Sequence, residues 1–189
     1  MSSVKRRSKA IPAKVIRLPR SAGISTAKAM AIYRAQVKRN LTPVLINQRN
    51  VSIGTNNSWF NAQVIARDPA WVDVPGASYV WYSGNLSSEN AIISRRFTLS
   101  PGRSILSASL FLSVDNYAVV IINGVPLLFD GPQNTPSFFN PGRSFNIRGF
   151  VRRGRNDIVI IAFNFGGARS PSNPAGVAAR LDFRLGRLR

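Results

Sequence analysis

Seven carboxylates are the side chains in this chain that carry proton-transfer or hard-metal chemistry: Asp68, Asp73, Glu89, Asp115, Asp130, Asp157 and Asp182. Histidine and cysteine are both absent. That removes the imidazole base, the thiolate nucleophile and the usual zinc, copper and haem ligands together. Asp115-Asn116 lies between two apolar runs and has no partner for acid–base work, so it reads as a turn whose side chains bond their own backbone. Asp68, Asp73 and Asp182 are isolated acids in a chain of net charge +19 and read better as partners of arginine. No catalytic residue, metal or cofactor is expected, and the chain reads as a non-enzyme.

The basic residues carry more information. Of 26 Lys and Arg, twelve fall in residues 1–50, which hold no acid. That leaves fourteen against all seven acids from residue 51 on. Such asymmetry points to a polyanionic partner for the N-terminal segment, nucleic acid being the commonest. The contact residues expected are Lys5, Arg6, Arg7, Lys9, Lys14, Arg17, Arg20, Lys28, Arg34, Lys38 and Arg39. The plainer reading is a solvated tail that aids solubility. Like charges without a compensating acid repel one another, which argues against it.

These residues must be positioned by elements of two kinds. Residues 1–24 read as an extended arm, because Pro12 and Pro19 remove backbone donors and disfavour helix before them. Ser25 or Thr26 can cap a helix running to about Arg39. Met30, Tyr33 and Val37 give it one apolar stripe, and so short a helix must dock on its own sandwich, a neighbouring subunit or an anionic surface. Thr42-Pro43 stops it. The chain therefore divides into a basic arm with its helix over 1–43 and a second domain over 44–189.

From Val44 the pattern is β. Val44–Ile46, Tyr79–Tyr82, Ile92–Leu99, Ile105–Val114, Tyr117–Ile122, Val125–Phe129, Ser144–Val151, Asp157–Phe163 and Gly176–Leu185 are short apolar runs at sandwich spacing. In Ile105–Val114, Ala108, Leu110, Leu112 and Val114 alternate with Ser107, Ser109, Phe111 and Ser113, a strand with one wet face, Phe111 excepted. Asn123-Gly124 supplies two positive-φ residues for a type I′ hairpin. Asp68-Pro69 and Pro75-Gly76 are turns flanking Trp71, and Gly54–Ser58 reads as a loop. The fold class is all-β, an antiparallel β-sandwich with an extended basic arm and one short helix.

Four stretches then resemble the galactose-binding-like jelly-roll domains found among carbohydrate-binding modules. Asp115–Gly124 (D-N-Y-A-V-V-I-I-N-G) is similar to that family's A-D-N-Y-A-x-V-x-V-N-G. Phe145-Asn146-Ile147, followed by Gly154–Ile160, resembles its F-x-I-T … G-x-N-x-I-x-V element. Asn173–Leu181 resembles N-P-A-G-L-x-A-x-L. Arg95–Leu99 with Ser107–Leu110 resembles R-K-x-F-x-L … A-x-L-x-I. The elements occur in family order over roughly Trp71 to Leu185, and residues 1–50 have no counterpart. Asn123, Gly124, Gly154, Asn156 and Gly176 have scaffold roles in this pattern, so it reports fold more than activity.

The resemblance implies sugar binding on loop aromatics, for which Trp59, Phe60, Trp81, Tyr82 and the pair Phe138-Phe139 are the candidates. The competing reading places them in the core or at a subunit contact. Phe138-Phe139 lies in a proline-punctuated loop, Gly131–Gly142, that suits a partner surface or a pocket.

Two functions follow from the sequence. One is a structural assembly protein, a viral capsid or minor capsid component whose arm ties subunits together or contacts nucleic acid. Its partners are other capsid proteins or further copies of the chain, and its location is the virion. The alternative is a lectin-like carbohydrate-binding module that takes a glycan. No stretch approaches the roughly 18 apolar residues of a membrane span. Lys5-Arg6-Arg7 leads into no apolar stretch, so no signal peptide is expected and an intracellular location is the alternative.

Overall fold

Ser25 closes the first turn of a helix by accepting the Lys28 amide on its hydroxyl at 3.2 Å, and the helix, α1, runs over Thr26–Val37. The computed structural model describes residues 24–39, 41–129 and 142–188. The strands after the helix are β1 (Val44–Ile46), β2 (Asn50–Gly54), β3 (Ala62–Val64), β4 (Val80–Tyr82), β5 (Asn90–Leu99) and β6 (Arg103–Asp115). Then come β7 (Tyr117–Ile122), β8 (Val125–Phe129), β9 (Arg143–Asn146), β10 (Gly154–Phe163) and β11 (Gly176–Arg187).

These strands form the two layers of a β-sandwich. The first sheet has the order β1-β5-β10-β7-β8, the second β3-β4-β11-β6-β9, with β2 also paired to β11. One edge departs from the antiparallel reading, since β1 pairs with β5 in parallel from Val44↔Phe97 to Ile46↔Leu99. No hairpin joins these two strands, so no tight turn imposes an antiparallel direction on them.

Between the sheets lies the main core, including Phe97, Leu99, Leu110, Leu112, Ile160, Leu181 and Phe183. Phe97 and Phe183 meet across it with ring centroids 5.3 Å apart. β7 and β10 read as unbroken apolar runs because both of their faces are covered. Val120, Ile122, Ile158 and Ile160 face inward, while Val119, Ile121, Val159 and Ile161 lie in a second cluster with α1. Ala29, Met30, Tyr33 and Val37 supply the helix side of that cluster. The helix therefore docks on its own sandwich. Each buried Val or Ile contributes roughly 1.5–3 kcal/mol relative to exposure, so the layer under α1 matters on the scale of the whole fold's stability. A boundary at residue 43 would separate this helix from the sheet it covers.

A third cluster sits on the outer face of the second sheet, where Trp71, Val74 and Tyr79 cover Ala178 with Phe111 packed beside them. This explains the large apolar residue on the otherwise serine-lined face of β6. The turns flanking Trp71 form as read, with the Trp71 amide on the Asp68 carbonyl and the Ala77 amide on the Val74 carbonyl, both 2.9 Å. Gly176 has to be small, because a Cβ there would lie 2.6 Å from the Trp71 ring.

At the β7–β8 hairpin, Asn123 and Gly124 take φ of 50° and 82°, as the Asn-Gly pair requires. Asn156, fully buried, donates to the carbonyls of Arg152 and Gly154 and accepts from Asn123 and the Arg152 amide. The Gly-x-Asn of the sequence pattern is thus a polar plug that fixes the entry to β10. Two strands, β2 and β3, escaped the sequence reading, and Ser144–Val151 shortens to β9 because Phe150 turns back to bond the Ile147 carbonyl.

Candidate ligand cleft

The β2–β3 loop builds one wall of a cleft. Asn56 folds its carboxamide oxygen onto the Ser58 amide at 2.8 Å. Phe60 then bridges to Ser94 of β5 through both backbone groups, at 2.9 and 3.2 Å. Asn61 takes a φ of 62° and donates to the Ile92 carbonyl. These bonds hold the loop against the middle of β5.

The cleft has a volume of about 380 Å³. Phe60, Asn57, Asn61, Ser83, Thr42 and Arg95 are among its lining residues, and none of the lining residues is a carboxylate. Strand alternation decides what Arg95 does. Ala91, Ile93, Arg95, Phe97 and Leu99 share one parity of β5, so Arg95 faces inward at the mouth of the sandwich. One terminal nitrogen donates to the Ser58 carbonyl, while Nε is buried without a partner. Burial lowers the pKa of this guanidinium. Arg96, one residue on, points to the opposite face, where Nε meets Asp157 at 2.7 Å and a terminal nitrogen meets the Val37 carbonyl at 2.8 Å. From the end of α1, Arg39 lies over the Phe60 ring at 5.2 Å.

Two of the aromatics read from the sequence as ligand groups belong to the core instead. Trp59 is 2% exposed and gives its indole N–H to the Gly54 carbonyl; Trp81 is fully buried and gives its own to the Ser88 carbonyl. Both have the polar partner that a buried indole requires, and neither presents a free face. Tyr82 is half-buried and packs against the main core. Trp59 and Phe60 both border the cleft, and of the two Phe60 is the one that is partly exposed. Phe138 and Phe139 lie outside the described residues, as do Lys5, Arg6, Arg7, Lys9, Lys14, Arg17 and Arg20. Lys28, Arg34, Lys38 and Arg39 are exposed on or just beyond α1.

Asp115 occupies a different place. It is buried, accepts the Trp71 indole N–H at 3.0 Å on Oδ2, and leaves Oδ1 without a hydrogen bond. Burial raises its pKa from 3.8 to about 6, partly offset by the Trp71 bond. Asn116 beside it accepts the Phe165 amide at 2.7 Å. The pair pins the β6–β7 junction. Among the described residues, no group of three or more His, Cys, Asp or Glu is placed to hold a metal ion. Asp182 is paired with Arg180 at 3.0 Å. No helix among the described residues is long and apolar enough to cross a membrane.

No family model matches the sequence, and no curated protein matches it. Solved structures with a related arrangement include a family 35 carbohydrate-binding module from Clostridium thermocellum, 10% identical, with a TM-score of 0.37 over 69% of this chain and 97% of that one. A glycosyl hydrolase family 2 member from Bacteroides cellulosilyticus is 17% identical, with a TM-score of 0.36. There the match covers 65% of this chain and 16% of the hydrolase.

Proposed function

We propose that the chain is a non-catalytic, lectin-like recognition module whose sandwich takes a carbohydrate in the cleft beside β5. The observation that carries this reading is the lining. An aromatic wall from Phe60 stands among the side-chain amides and hydroxyls of Asn57, Asn61, Ser83 and Thr42, with Arg95 as a donor of N–H bonds. That is the mixture of one apolar face and several directional polar groups that a ring bearing hydroxyls needs. The lining offers no pair of carboxylates of the kind that glycoside hydrolysis uses, which favours binding over cleavage. Arg39 lies over Phe60, so a sugar stacking on that face displaces its guanidinium or bonds to it. A glycan array on the full chain, followed by titration calorimetry of the best ligand, tests the reading. Wild type binds and Phe60→Ala loses at least about tenfold in affinity, the scale of a lost aromatic stacking contact; a blank array ends the proposal.

A second reading keeps one specific observation in its favour, the twelve basic residues and no acid in residues 1–50. On this reading the chain is a structural assembly protein of a virion, a capsid or minor capsid component whose basic arm joins subunits or contacts the genome. Electron microscopy of the purified protein separates the two readings, because ordered shells or lattices belong to the second alone.

A further inference from the structure

Strand register gathers several turns at one end of the sandwich. Leu99 pairs with Gly154, Arg103 with Arg187, and Ile122 with Val125, while the Arg49 carbonyl accepts the Leu185 amide. The turns 47–49, 100–102, 123–124 and 147–153, together with the end of β11, therefore share a pole. They bring Arg49, Arg103, Arg148, Arg152, Arg153 and Arg187 to that pole, with Arg155 just inside it. Among the described residues, Arg155 is the member of this set with a carboxylate partner, the buried Asp157 at 3.5 Å. The other described acids lie elsewhere. Asp115 is at the far end of β6, where Trp71 reaches it from the loop holding Asp68 and Asp73. Glu89 is at that same far end, its carbonyl bonded to Asn164, and Asp182 is tied to Arg180 on β11. The sandwich is thus electrically bipolar, a property that the scattered arginines of the sequence do not display.

We propose that this arginine pole is a docking surface for the phosphodiester backbone of a nucleic acid. The residue type favours phosphate. Every basic residue from 39 onward is arginine, although the first 38 residues contain five lysines. A guanidinium offers a planar fork that meets two phosphate oxygens at once, which an ammonium cannot do. The Nε bonds also orient the side chains: Arg148 to the Ile105 carbonyl at 2.6 Å and Arg152 to the Arg155 carbonyl at 3.1 Å. Both residues remain exposed. With sheets about 10 Å apart and strands about 4.8 Å apart, the pole is wide enough for several consecutive phosphates. Contacts to phosphate carry no base information, so backbone contact without sequence preference is expected.

The test is fluorescence anisotropy of the full chain with labelled single- and double-stranded oligonucleotides across a salt series. The variant is Arg49→Gln/Arg152→Gln/Arg153→Gln, and the control is Arg67→Gln/Arg169→Gln at the other pole. Each lost phosphate contact lowers the slope of log K against log salt by about 0.9. The pole variant is expected to lose about two to three such contacts and at least about tenfold in affinity near roughly 0.15 M salt, with its thermal midpoint unchanged. The control keeps most of its affinity and slope. An unchanged slope in the folded pole variant overturns the proposal, since the N-terminal basic residues would then account for binding. So does a loss of slope in variant and control in proportion to the charges removed, three against two, which would reflect net charge alone. Binding of a heparin oligosaccharide, with none of an oligonucleotide of equal charge, overturns it in favour of a sulfated glycan.

Discussion

The Arg96 guanidinium meets the Asp157 carboxylate at 2.7 Å beneath the end of α1, and both side chains are almost fully buried. The same guanidinium bonds the Val37 carbonyl, so one side chain joins β5, β10 and the helix. Removing one partner of a buried pair leaves an uncompensated charge. Asp157→Ala is expected to cost about 3–5 kcal/mol in chemical denaturation. Arg96→Met is expected to cost less, because the Asp157 carboxylate keeps Arg155 at 3.5 Å. Equal losses from the two substitutions would count against this account.

Asp115 makes stability depend on pH in the direction opposite to most carboxylates. Its folded pKa of about 6 stands above the ordinary 3.8. Between those values the native state holds a proton that the unfolded chain has released, so stability falls as pH rises from about 4 to about 6 and is flat beyond. The full effect is about 2–3 kcal/mol for a shift of this size. Asp115→Asn keeps an acceptor for the Trp71 indole and is expected to flatten that region of the curve. Denaturation midpoints measured at closely spaced values from about pH 4 to about pH 7 check it.

Gly176 faces the Trp71 ring, where an added Cβ would lie 2.6 Å from it. Gly176→Ala is expected to cost roughly 1–3 kcal/mol by overpacking and to shift Trp71 fluorescence. Trp71→Leu should recover some of the loss, since it removes the obstructing ring. Failure of the double variant to recover any would place the difficulty in the backbone instead.

Deleting residues 1–39 does more than remove basic charge. It uncovers Val119, Ile121, Val159 and Ile161 on the first sheet. Such a chain is expected to bind a hydrophobic dye and to aggregate on size exclusion. Ala29→Asp, which puts a carboxylate into the same layer, should reproduce the defect within the full chain. A monomeric, dye-silent deletion variant would show the helix to be dispensable.

Much of the sandwich was legible because its strands obey simple periods. The alternation of β6 named its wet and dry faces, and the Asn-Gly pair named its hairpin. The short β2 and β3 lack that signal: Asn50–Gly54 and Ala62–Val64 carry too few apolar residues, and their pairing with β11 and β4 is set from outside. The cleft was harder still. Trp59 and Trp81 look like loop aromatics until their indole N–H partners are known, and Phe60 reads no differently from its neighbour. Arg95 was within reach, because its parity with Ile93 and Phe97 turns it inward. The arginine pole could not be read at all, since it depends on which turns share an end.

The helix touches more than one strand. Tyr33 lies against Gly124 at the β7–β8 turn, Gln36 meets Ser94, and the Val37 carbonyl meets Arg96 on β5. It therefore lies across the sheet like a batten nailed over planks. Strands that adjoin only through their ladders can peel away singly from an edge, but β5, β10 and β7 are also tied from above. Before β5 can separate from β7, the chain must lift the batten, and these three strands part together.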